Sequence, residues 1–351
     1  MHSNRVVTFT GPKSVEVRDE PSLTLGKNDV RVRTLFSGIS AGTELTAYRG
    51  TNPYLDKRWN DARKLFEFGE ASQHYPIVGW GYEEVGRVIE TGRGAEGVAP
   101  GDLVWGTWGH RTETVVSDTY ARARILAADV DPRIGMFSQI GGIAMNVALD
   151  GDIHVGETVV VFGLGVPGQL VAQLARLNGA RVIVVDGVAS RRDLALRLGA
   201  DLALDPADGE VAEQVRDLTD GRGADVCLEV TGNYRALHEA IRTVAYSSRV
   251  CAAGFMQGDG IGLRLGEEFH HNRVQVVSTQ ISGVAPALQH RWDRMRLDST
   301  AIALASSGRL RVTELISHTY ALEEAPAAFA LLDSATQDVL HVVLDATDPA
   351  E

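Results

Sequence analysis

The chain has 351 residues, of which 44% are apolar and 23% charged, and its 46 acidic and 34 basic side chains give a formal net charge of -12. These fractions exclude a disordered or fibrous chain, and the length allows two domains of roughly 100–200 residues each. The negative charge would repel phosphates, so we expect no nucleic-acid partner.

Short apolar runs separated by glycine and polar residues dominate the chain up to about residue 130. The runs that we predict to be strands are VVTFT, VRVRTLFSG, EEVGRVIET, DLVWGTW and ETVVSD. This spacing is typical of a β-rich, partly barrel-like domain. Residues 51–75 interrupt it with charged and aromatic side chains, which predicts an inserted loop or short helix with a function. The amino terminus carries acidic residues and lacks an apolar stretch of signal-peptide length, so we expect a cytoplasmic protein.

From about residue 155 to residue 280, apolar strand-like runs alternate with amphipathic helical stretches. The predicted strands are TVVVFG, RVIVVD, DLALD, ADVCLEV, RVCAAG and VQVVSTQ. Six strands with helices between them predict a doubly wound parallel sheet. Cys227 and Cys251 lie in two of these strands, and we expect both thiols to be buried and reduced. Two cysteines are too few for a disulfide framework or a four-thiolate zinc site.

The uncharged stretch 158–175 approaches the length of a membrane span, but three glycines, a proline and two glutamines interrupt it. A strand, a turn and a helix are the better interpretation, and we expect no membrane contact. Beyond residue 280 the pattern is mixed. It predicts a helix through STAIALASSG, a strand at LISHTY, a helix at LEEAPAAFALL and a last strand at DVLHVVLD.

A glycine-rich turn, Gly163-Leu164-Gly165-Val166-Pro167-Gly168, follows the strand TVVVF and opens a helix. The first glycine permits the tight turn, the second lets a pyrophosphate approach the backbone, and the third lets the helix pack on the strand. The helix N-terminus faces the phosphate. We therefore predict that this turn binds a dinucleotide.

Asp186 ends the next strand, 18 positions after Gly168. A carboxylate there would accept hydrogen bonds from the adenine-ribose hydroxyls and repel a 2′-phosphate. Arg191 and Arg192 follow closely, and an arginine just beyond this strand can pair with a 2′-phosphate. The balance favours NAD over NADP. The alternative is that Asp186 merely ends a strand.

Five motifs, spread over nearly the whole chain, carry a family resemblance: SGISAGTEL (37–45), VGWGYEEVGRVIETG (78–92), PGDLVWG (100–106), the glycine turn (163–168) and DVCLEVTG (225–232). They resemble the medium-chain dehydrogenase/reductase family, which includes zinc alcohol, sorbitol and threonine dehydrogenases. The resemblance implies an α/β fold in which a β-rich GroES-like catalytic domain is split by a doubly wound parallel Rossmann domain. We place the catalytic parts at residues 1–133 and 281–351 and the NAD(P)-binding domain at 134–280. In the last motif, Thr231 would contact the cofactor, and a cleft between the domains would hold nicotinamide and substrate.

The chain departs from this family at its zinc ligands. Zinc members carry a cysteine before the G-T-D type motif, a histidine in G-H-E, and a third cysteine or glutamate before the glycine-rich strand. Here Ala41 precedes Gly42, and if the motif is shifted by one, Ser40 falls at the cysteine position instead. Tyr82 stands between Gly81 and Glu83. The third region, SQIGGIAMN, offers no ligand, and the lobe with four cysteines is absent. Catalytic zinc normally takes three protein ligands, so we predict no zinc.

A rearranged metal site built from Glu83, His74 and His110 remains the alternative. Without a Lewis acid, hydride transfer still needs a proton donor or acceptor at the substrate oxygen. We predict this role for Tyr82, with Thr43 passing the proton outward as in the family, and we count Glu83 and His110 as further catalytic candidates. Tyr82 could instead fill the vacated volume, and Glu83 could serve only as a hydrogen-bonding group.

The insertion at 51–75 carries polar and aromatic residues that suit a hydroxylated substrate such as a sugar, cyclitol or polyol. Trp59 and His74 are the substrate-binding candidates. The preferred function is a zinc-independent NAD(P)-dependent oxidoreductase that transfers hydride between nicotinamide and a secondary alcohol or ketone. One alternative is a zinc-free reductase of an activated C=C bond, of the enone or quinone type. Another is an inactive nucleotide-binding protein.

The expected partner is a small-molecule substrate. The strand VQVVSTQ is expected to lie at the edge of the dinucleotide sheet. It is apolar enough to pair with its symmetry mate, which predicts a homodimer.

Overall fold

The computed structural model describes residues 4–334 and 339–347. The chain divides into two compact units, Met1–Gln139 with Ile316–Glu351, and Ile140–Leu315. The sequence placed the second boundary at residue 280, whereas the structure keeps the segment 281–315 in the second unit. One reason is a reciprocal pair of hydrogen bonds between the Gln173 side chain and the Arg311 backbone, at 3.1 and 2.8 Å.

The N-terminal part of the first unit is built mainly from short strands, as predicted. Its elements are β1 (Asn4–Gly11), β2 (Ser14–Glu20), β3 (Asp29–Ile39), α1 (Ala41–Arg49), β4 (Lys57–Asn60), β5 (Leu65–Phe68), β6 (Ile77–Val78), β7 (Glu84–Thr91), β8 (Leu103–Gly106), β9 (Glu113–Ser117), α2 (Asp118–Arg122) and β10 (Ile125–Leu126). Helix α3 (Phe137–Gly151) then carries the chain into the second unit. Residues 51–75, predicted as a loop or short helix, contain a short 3-10 helix (Pro53–Leu55) and loop stretches, and also the unpredicted β4–β5 hairpin, in which Trp59 pairs with Phe66.

The second unit alternates strands and helices. Its elements are β11 (Thr158–Phe162), α4 (Val166–Leu177), β12 (Arg181–Val185), α5 (Ala189–Arg197), β13 (Leu202–Leu204), α6 (Val211–Asp217), β14 (Ala224–Glu229), α7 (Tyr234–Thr243), β15 (Val244–Ala252), α8 (Glu268–His271), β16 (Gln275–Ser278) and α9 (Arg294–Ser306). The six strands form one parallel sheet in the order β13-β12-β11-β14-β15-β16. The predicted doubly wound sheet is therefore confirmed.

The C-terminal part returns to the first unit with β17 (Ile316–Ala321), α10 (Ala325–Asp333) and β18 (His341–Asp345). Asp338, the first residue of the predicted last strand, lies outside the described residues. Strand β18 pairs with β3 and β17, so the two ends of the chain share one sheet. This pairing is what makes the first unit discontinuous in sequence.

Apolar side chains fill the interior of the second unit. Strand β11 is buried along its whole length, which explains its unbroken apolar sequence TVVVF. Cys227 and Cys251 are buried free thiols, and burial raises the pKa of both. None of the helices within the described ranges has the length and apolar character that a bilayer crossing requires.

Candidate functional site

The glycine turn between β11 and α4 has the geometry that the sequence predicts. Gly163 has φ of +93°, a conformation that side chains disfavour. A Cβ at Gly168 would overlap the carbonyl oxygen of Gly163, so the third glycine is needed where the helix packs on the turn. Gly165 is the N-cap of α4, followed by Val166 and Pro167 in the first turn of that helix.

Gly165 differs from the other two glycines because nothing in the protein crowds it. A Cβ there would meet no atom closer than Pro167 Cδ, at 3.9 Å. The space in front of this residue opens onto the N-terminus of α4, where backbone N–H groups and the helix dipole favour an anion. The second glycine therefore fits the close approach of a pyrophosphate.

Asp186 follows β12 and holds the turn in place. Its two carboxylate oxygens accept hydrogen bonds from the N–H groups of Leu164, at 2.7 Å, and Val188, at 2.8 Å. Each oxygen keeps a second lone pair that a ribose hydroxyl could use. Arg192 donates to the carbonyl of Asp186 at 2.6 Å and pairs with Asp205 at 2.8 Å, so its charge is already matched. Arg191 is half-buried on α5, where its carbonyl accepts a hydrogen bond from Gln169.

A cavity of about 410 Å³ opens beside the turn. It is lined by residues at the carboxyl ends of β11 and β12, in the segments that follow β11, β12 and β14, and on α7, among them Gly163, Asp186, Thr231, Arg235 and Glu239. The Thr231 hydroxyl donates to Glu229 Oε1, and a Cβ on Gly163 would crowd the Thr231 side chain. The cavity, the glycine turn and Asp186 together fit the adenosine and pyrophosphate of a dinucleotide.

The first unit gathers polar side chains at one end of its sheet. Strand register places Ser37 of β3 opposite Glu84 of β7, and Ile39 of β3 opposite Val342 of β18. The chain leaves β3 at this point and enters α1, whose N-cap is Ser40. Residues distant in sequence therefore meet around the start of α1.

Tyr82 lies among hydroxyl groups near this helix start. Its phenol oxygen is hydrogen-bonded to Ser40 Oγ and lies 3.2 Å from Thr43 Oγ1. Burial, reinforced by the charge of Glu83, raises the pKa of Tyr82 far above its ordinary value. The phenol is therefore neutral over the whole physiological range and can donate or relay a hydrogen bond.

Beneath these hydroxyls runs a fully buried hydrogen-bonded row, Glu44–His110–Ser37–Glu84. Glu44 Oε1 accepts the N–H of Ser40 at 2.9 Å, and its Oε2 lies 2.6 Å from His110 Nε2. His110 Nδ1 lies 2.6 Å from Ser37 Oγ, which donates to Glu84 Oε1 at 3.1 Å. Both ring nitrogens of His110 are thus occupied, and the side chain is 0% exposed. His110, a catalytic candidate from the sequence, therefore lies in the interior, bonded on both sides.

Burial shifts the protonation of this row. It raises the pKa of Glu84 to about 7 and also raises the pKa of Glu44, although His110 opposes both shifts. Burial alone would lower the pKa of His110, but the carboxylates of Glu44, Glu84 and Glu83 outweigh it and raise that pKa. The row therefore keeps its protons to higher pH than exposed groups of the same kind would.

The sequence reading missed His341, the first residue of β18. Its Nε2 lies 2.9 Å from Glu83 Oε2, and both side chains are 1% exposed. A Cβ at Gly38 would come within 2.7 Å of both groups, which explains the glycine between Ser37 and Ile39. Glu83 and His341 are 258 positions apart in sequence, so no local pattern could have paired them.

Comparison with known proteins decides the family. The zinc-binding dehydrogenase model matches residues 165–296. D-guloside 3-dehydrogenase of Escherichia coli strain K12 is 30% identical over 334 residues, covering 91% of this chain and 93% of that protein. L-threonine 3-dehydrogenase of Pyrococcus furiosus is 26% identical over 341 residues, covering 88% of each chain.

The chain belongs to the zinc-binding dehydrogenase family. The crystal structure of a zinc-binding dehydrogenase from Sinorhizobium meliloti 1021 bound to NADP shares the fold, with a TM-score of 0.78, 22% identity, and coverage of 98% of this chain and 100% of that one. The resemblance to medium-chain dehydrogenases is thus confirmed, and the protein is an NAD(P)-dependent oxidoreductase of this type.

At the positions matched to the family's zinc ligands, the side chains that the structure describes do not form a set that fits a catalytic zinc ion. At the matched positions, Tyr82 is bonded to hydroxyls and Glu83 to His341. His110 has no free nitrogen, and His74 is exposed in the insertion. Within residues 4–334 and 339–347, the geometry brings a possible metal-holding group together only at His238, Glu267 and Glu268. The alternative site of Glu83, His74 and His110 is therefore not assembled.

The two substrate-binding candidates of this family member lie in the insertion. Trp59 is on β4, 36% exposed, and its ring packs edge-on against Phe66 at 5.0 Å. The hairpin also exposes Phe68 and Leu65.

Proposed function

We propose that this protein is a zinc-independent dehydrogenase that moves hydride between NAD and a secondary alcohol or ketone of a polyhydroxylated small molecule. The observation that carries the proposal is Tyr82, whose hydroxyl lies between Ser40 and Thr43 at the position where zinc members have a ligand histidine. The relative named D-guloside 3-dehydrogenase supports a sugar-like substrate.

A bound nicotinamide supplies the hydride acceptor for oxidation, or the donor for reduction. Tyr82 would bind the substrate oxygen. As that oxygen loses its proton to the phenol, the phenol proton would pass to Ser40 or Thr43, so that the phenolate, disfavoured by the raised pKa, never accumulates. Thr43, half-buried in the first turn of α1, would release the proton outward.

The buried row would act as support for these hydroxyls. Glu44 holds the N–H of Ser40, and His110 holds Glu44. Glu83, bonded to His341, places a negative charge near Tyr82. In this proposal Glu44, Glu83 and His110 are positioning residues rather than groups that touch the substrate.

NAD is the proposed cofactor, held by Gly163, Gly165, Val166, Pro167, Gly168, Asp186, Arg191 and Thr231. The support for NAD over NADP is Asp186, whose carboxylate would repel a 2′-phosphate, together with the pairing of Arg192 to Asp205. A cytoplasmic location is also proposed, supported by the two free buried thiols. Trp59 and His74 are the proposed substrate contacts.

The test combines a substrate panel with one substitution. Chelator-treated protein is assayed with NAD+ and sugars, cyclitols and polyols, and with NADH and matched saturated ketones and enones. We expect alcohol oxidation that survives the chelator, and in Tyr82→Phe a fall of kcat by about 100- to 10,000-fold with unchanged NADH affinity.

The matched control is Tyr48→Phe, which removes another hydroxyl from the same region. Tyr48 lies on α1 with its ring stacked on Phe329, and its hydroxyl is not one of the hydrogen-bond partners of Tyr82, so activity should persist. Reduction of enones alone would identify a C=C reductase instead. NADH binding without any turnover would identify an inactive nucleotide-binding protein, and loss of alcohol oxidation on chelation would refute zinc independence.

A further inference from the structure

Three potential ligand atoms lie close together in the second unit, apart from the cofactor turn. His238 on α7 and Glu267 and Glu268 at the start of α8 each offer one atom, and these atoms all lie within 4.8 Å of one another. One imidazole nitrogen and two carboxylate oxygens form a donor set that divalent transition metals accept.

The buried histidine gives an independent sign of a missing ligand. His238 is 8% exposed, and its buried Nδ1 has no hydrogen-bond partner among the residues described. Glu268 Oε2 is likewise buried and unpartnered there. Buried polar atoms in folded proteins are nearly always paired. A cation between α7 and α8 would satisfy both groups.

The surrounding charges also favour a dication. Five carboxylates and three guanidinium groups lie around the site and the cavity beside it: Glu210, Glu213, Glu239, Glu267 and Glu268 with Arg216, Arg242 and Arg264. The three arginines balance three of the carboxylates, so two negative charges remain. Arg242 approaches Glu268 only at 3.4 Å through Oε1, which leaves Oε2 for another partner.

Metal binding would require the three ligand atoms to move slightly closer together, and a neighbouring cavity would let the ion reach them. Ligand atoms around a tetrahedral zinc ion lie about 3.3 Å apart, given bond lengths of about 2.0–2.1 Å. Glu267, with half of its side chain exposed, can rotate to close the remaining distance. A cavity of about 210 Å³ lined by Glu268, Arg242 and Asn272 opens beside the site and admits an ion.

We propose that His238, Glu267 and Glu268 bind one divalent transition-metal ion, of the zinc or manganese class, that joins α7 to α8. The ion lies outside the hydride-transfer machinery proposed above and stabilises the second unit. The proposal is independent of the reaction that the enzyme catalyses.

The test is a titration of chelator-treated full-length protein with ZnCl2, and separately with MnCl2, followed by calorimetry and thermal unfolding. We expect one equivalent bound per chain and a higher melting temperature with metal. His238→Gln and Glu267→Gln should each weaken binding at least about tenfold. NAD+-dependent activity should persist in both variants, which separates this site from a catalytic metal.

A matched control distinguishes a built site from ordinary surface affinity. His154 is exposed between Asp152 and Glu157, at 3.9 and 3.4 Å, and His154→Gln should leave binding unchanged. If His238→Gln fails to fold, the exposed Glu267→Gln decides the question. Binding that neither substitution weakens, or no saturable binding by the wild type, would overturn the proposal.

Discussion

Glu84 shows how a single buried group can make the stability of this protein depend on pH. Its carboxylate is 0% exposed and accepts hydrogen bonds from Ser37 Oγ and the N–H of Trp108. Because burial raises its pKa from 4.5 to about 7, the folded protein keeps this proton at pH values where the unfolded chain has released it. Glu44 and His110, whose pKa values are also raised, act in the same direction.

We predict that the free energy of unfolding falls as the pH rises from about 4.5 to 7. Between these values the folded state binds more protons than the unfolded state, so a rise in pH favours unfolding. For Glu84 alone the loss is roughly 3 kcal/mol. Glu84→Gln keeps groups that can bond Ser37 and Trp108 but cannot ionise, so its stability should depend less on pH. Denaturant unfolding at a series of pH values measures this.

Glu90→Gln is the matched control for this prediction. Glu90 lies on the same strand, β7, but its carboxylate is 57% exposed and pairs with Arg31. Its substitution should leave the pH dependence unchanged. Equal slopes for wild type and Glu84→Gln would show that Glu84 does not titrate as described.

At the scale of elements, two glycines in the turn between β11 and α4 have different roles. Gly168 is required for packing, and Gly165 leaves room for a ligand. A Cβ at position 168 would overlap the backbone of Gly163, whereas a Cβ at position 165 would meet only Pro167 Cδ, at 3.9 Å. An alanine at position 168 should therefore affect stability, and an alanine at position 165 should affect cofactor binding.

We predict that Gly168→Ala lowers the melting temperature and that Gly165→Ala does not. Gly165→Ala should instead weaken NADH binding at least about tenfold, since its methyl group occupies the approach of the pyrophosphate. Thermal unfolding and NADH fluorescence titration measure the two effects. If Gly165→Ala bound NADH normally, the turn would not be the phosphate site.

At the scale of the whole molecule, the edge strand β16 favours association of two chains. It pairs with β15 on one side only in the sheet as described, and Val276 on it is 40% exposed. An exposed apolar edge is commonly covered by a partner, and a second copy of the same strand is the simplest one. We propose a homodimer formed through this edge.

The prediction is that the wild type is a dimer in light scattering after size exclusion, and that Val276→Asp shifts it to a monomer. A charge at this edge opposes strand pairing with a symmetric copy. Val155→Asp is the control, because Val155 is 85% exposed in the same unit but lies outside the strands. A monomeric wild type, or a dimer that survives Val276→Asp, would contradict this assignment.

The sequence by itself determined the elements that depend on local patterns. Strands β11, β12 and β14 were readable because they are buried almost throughout and therefore apolar, and the glycine turn was readable because a tight turn before a helix demands glycine. The position of Asp186 followed from the same pattern, because it ends the strand that comes after the glycine turn and its helix. The departure from zinc ligands at Ala41 and Tyr82 was equally visible in the sequence.

Only the tertiary structure decided which distant residues meet. The pairing of β3 with β7 and β18 joins Ser37 to Glu84 and brings His341 to Glu83, and this depends on strand neighbours and register. His110 likewise meets Glu44 and Ser37, which are 66 and 73 positions away in sequence. Side-chain contacts across such separations depend on how the whole chain packs, so local sequence patterns do not specify them.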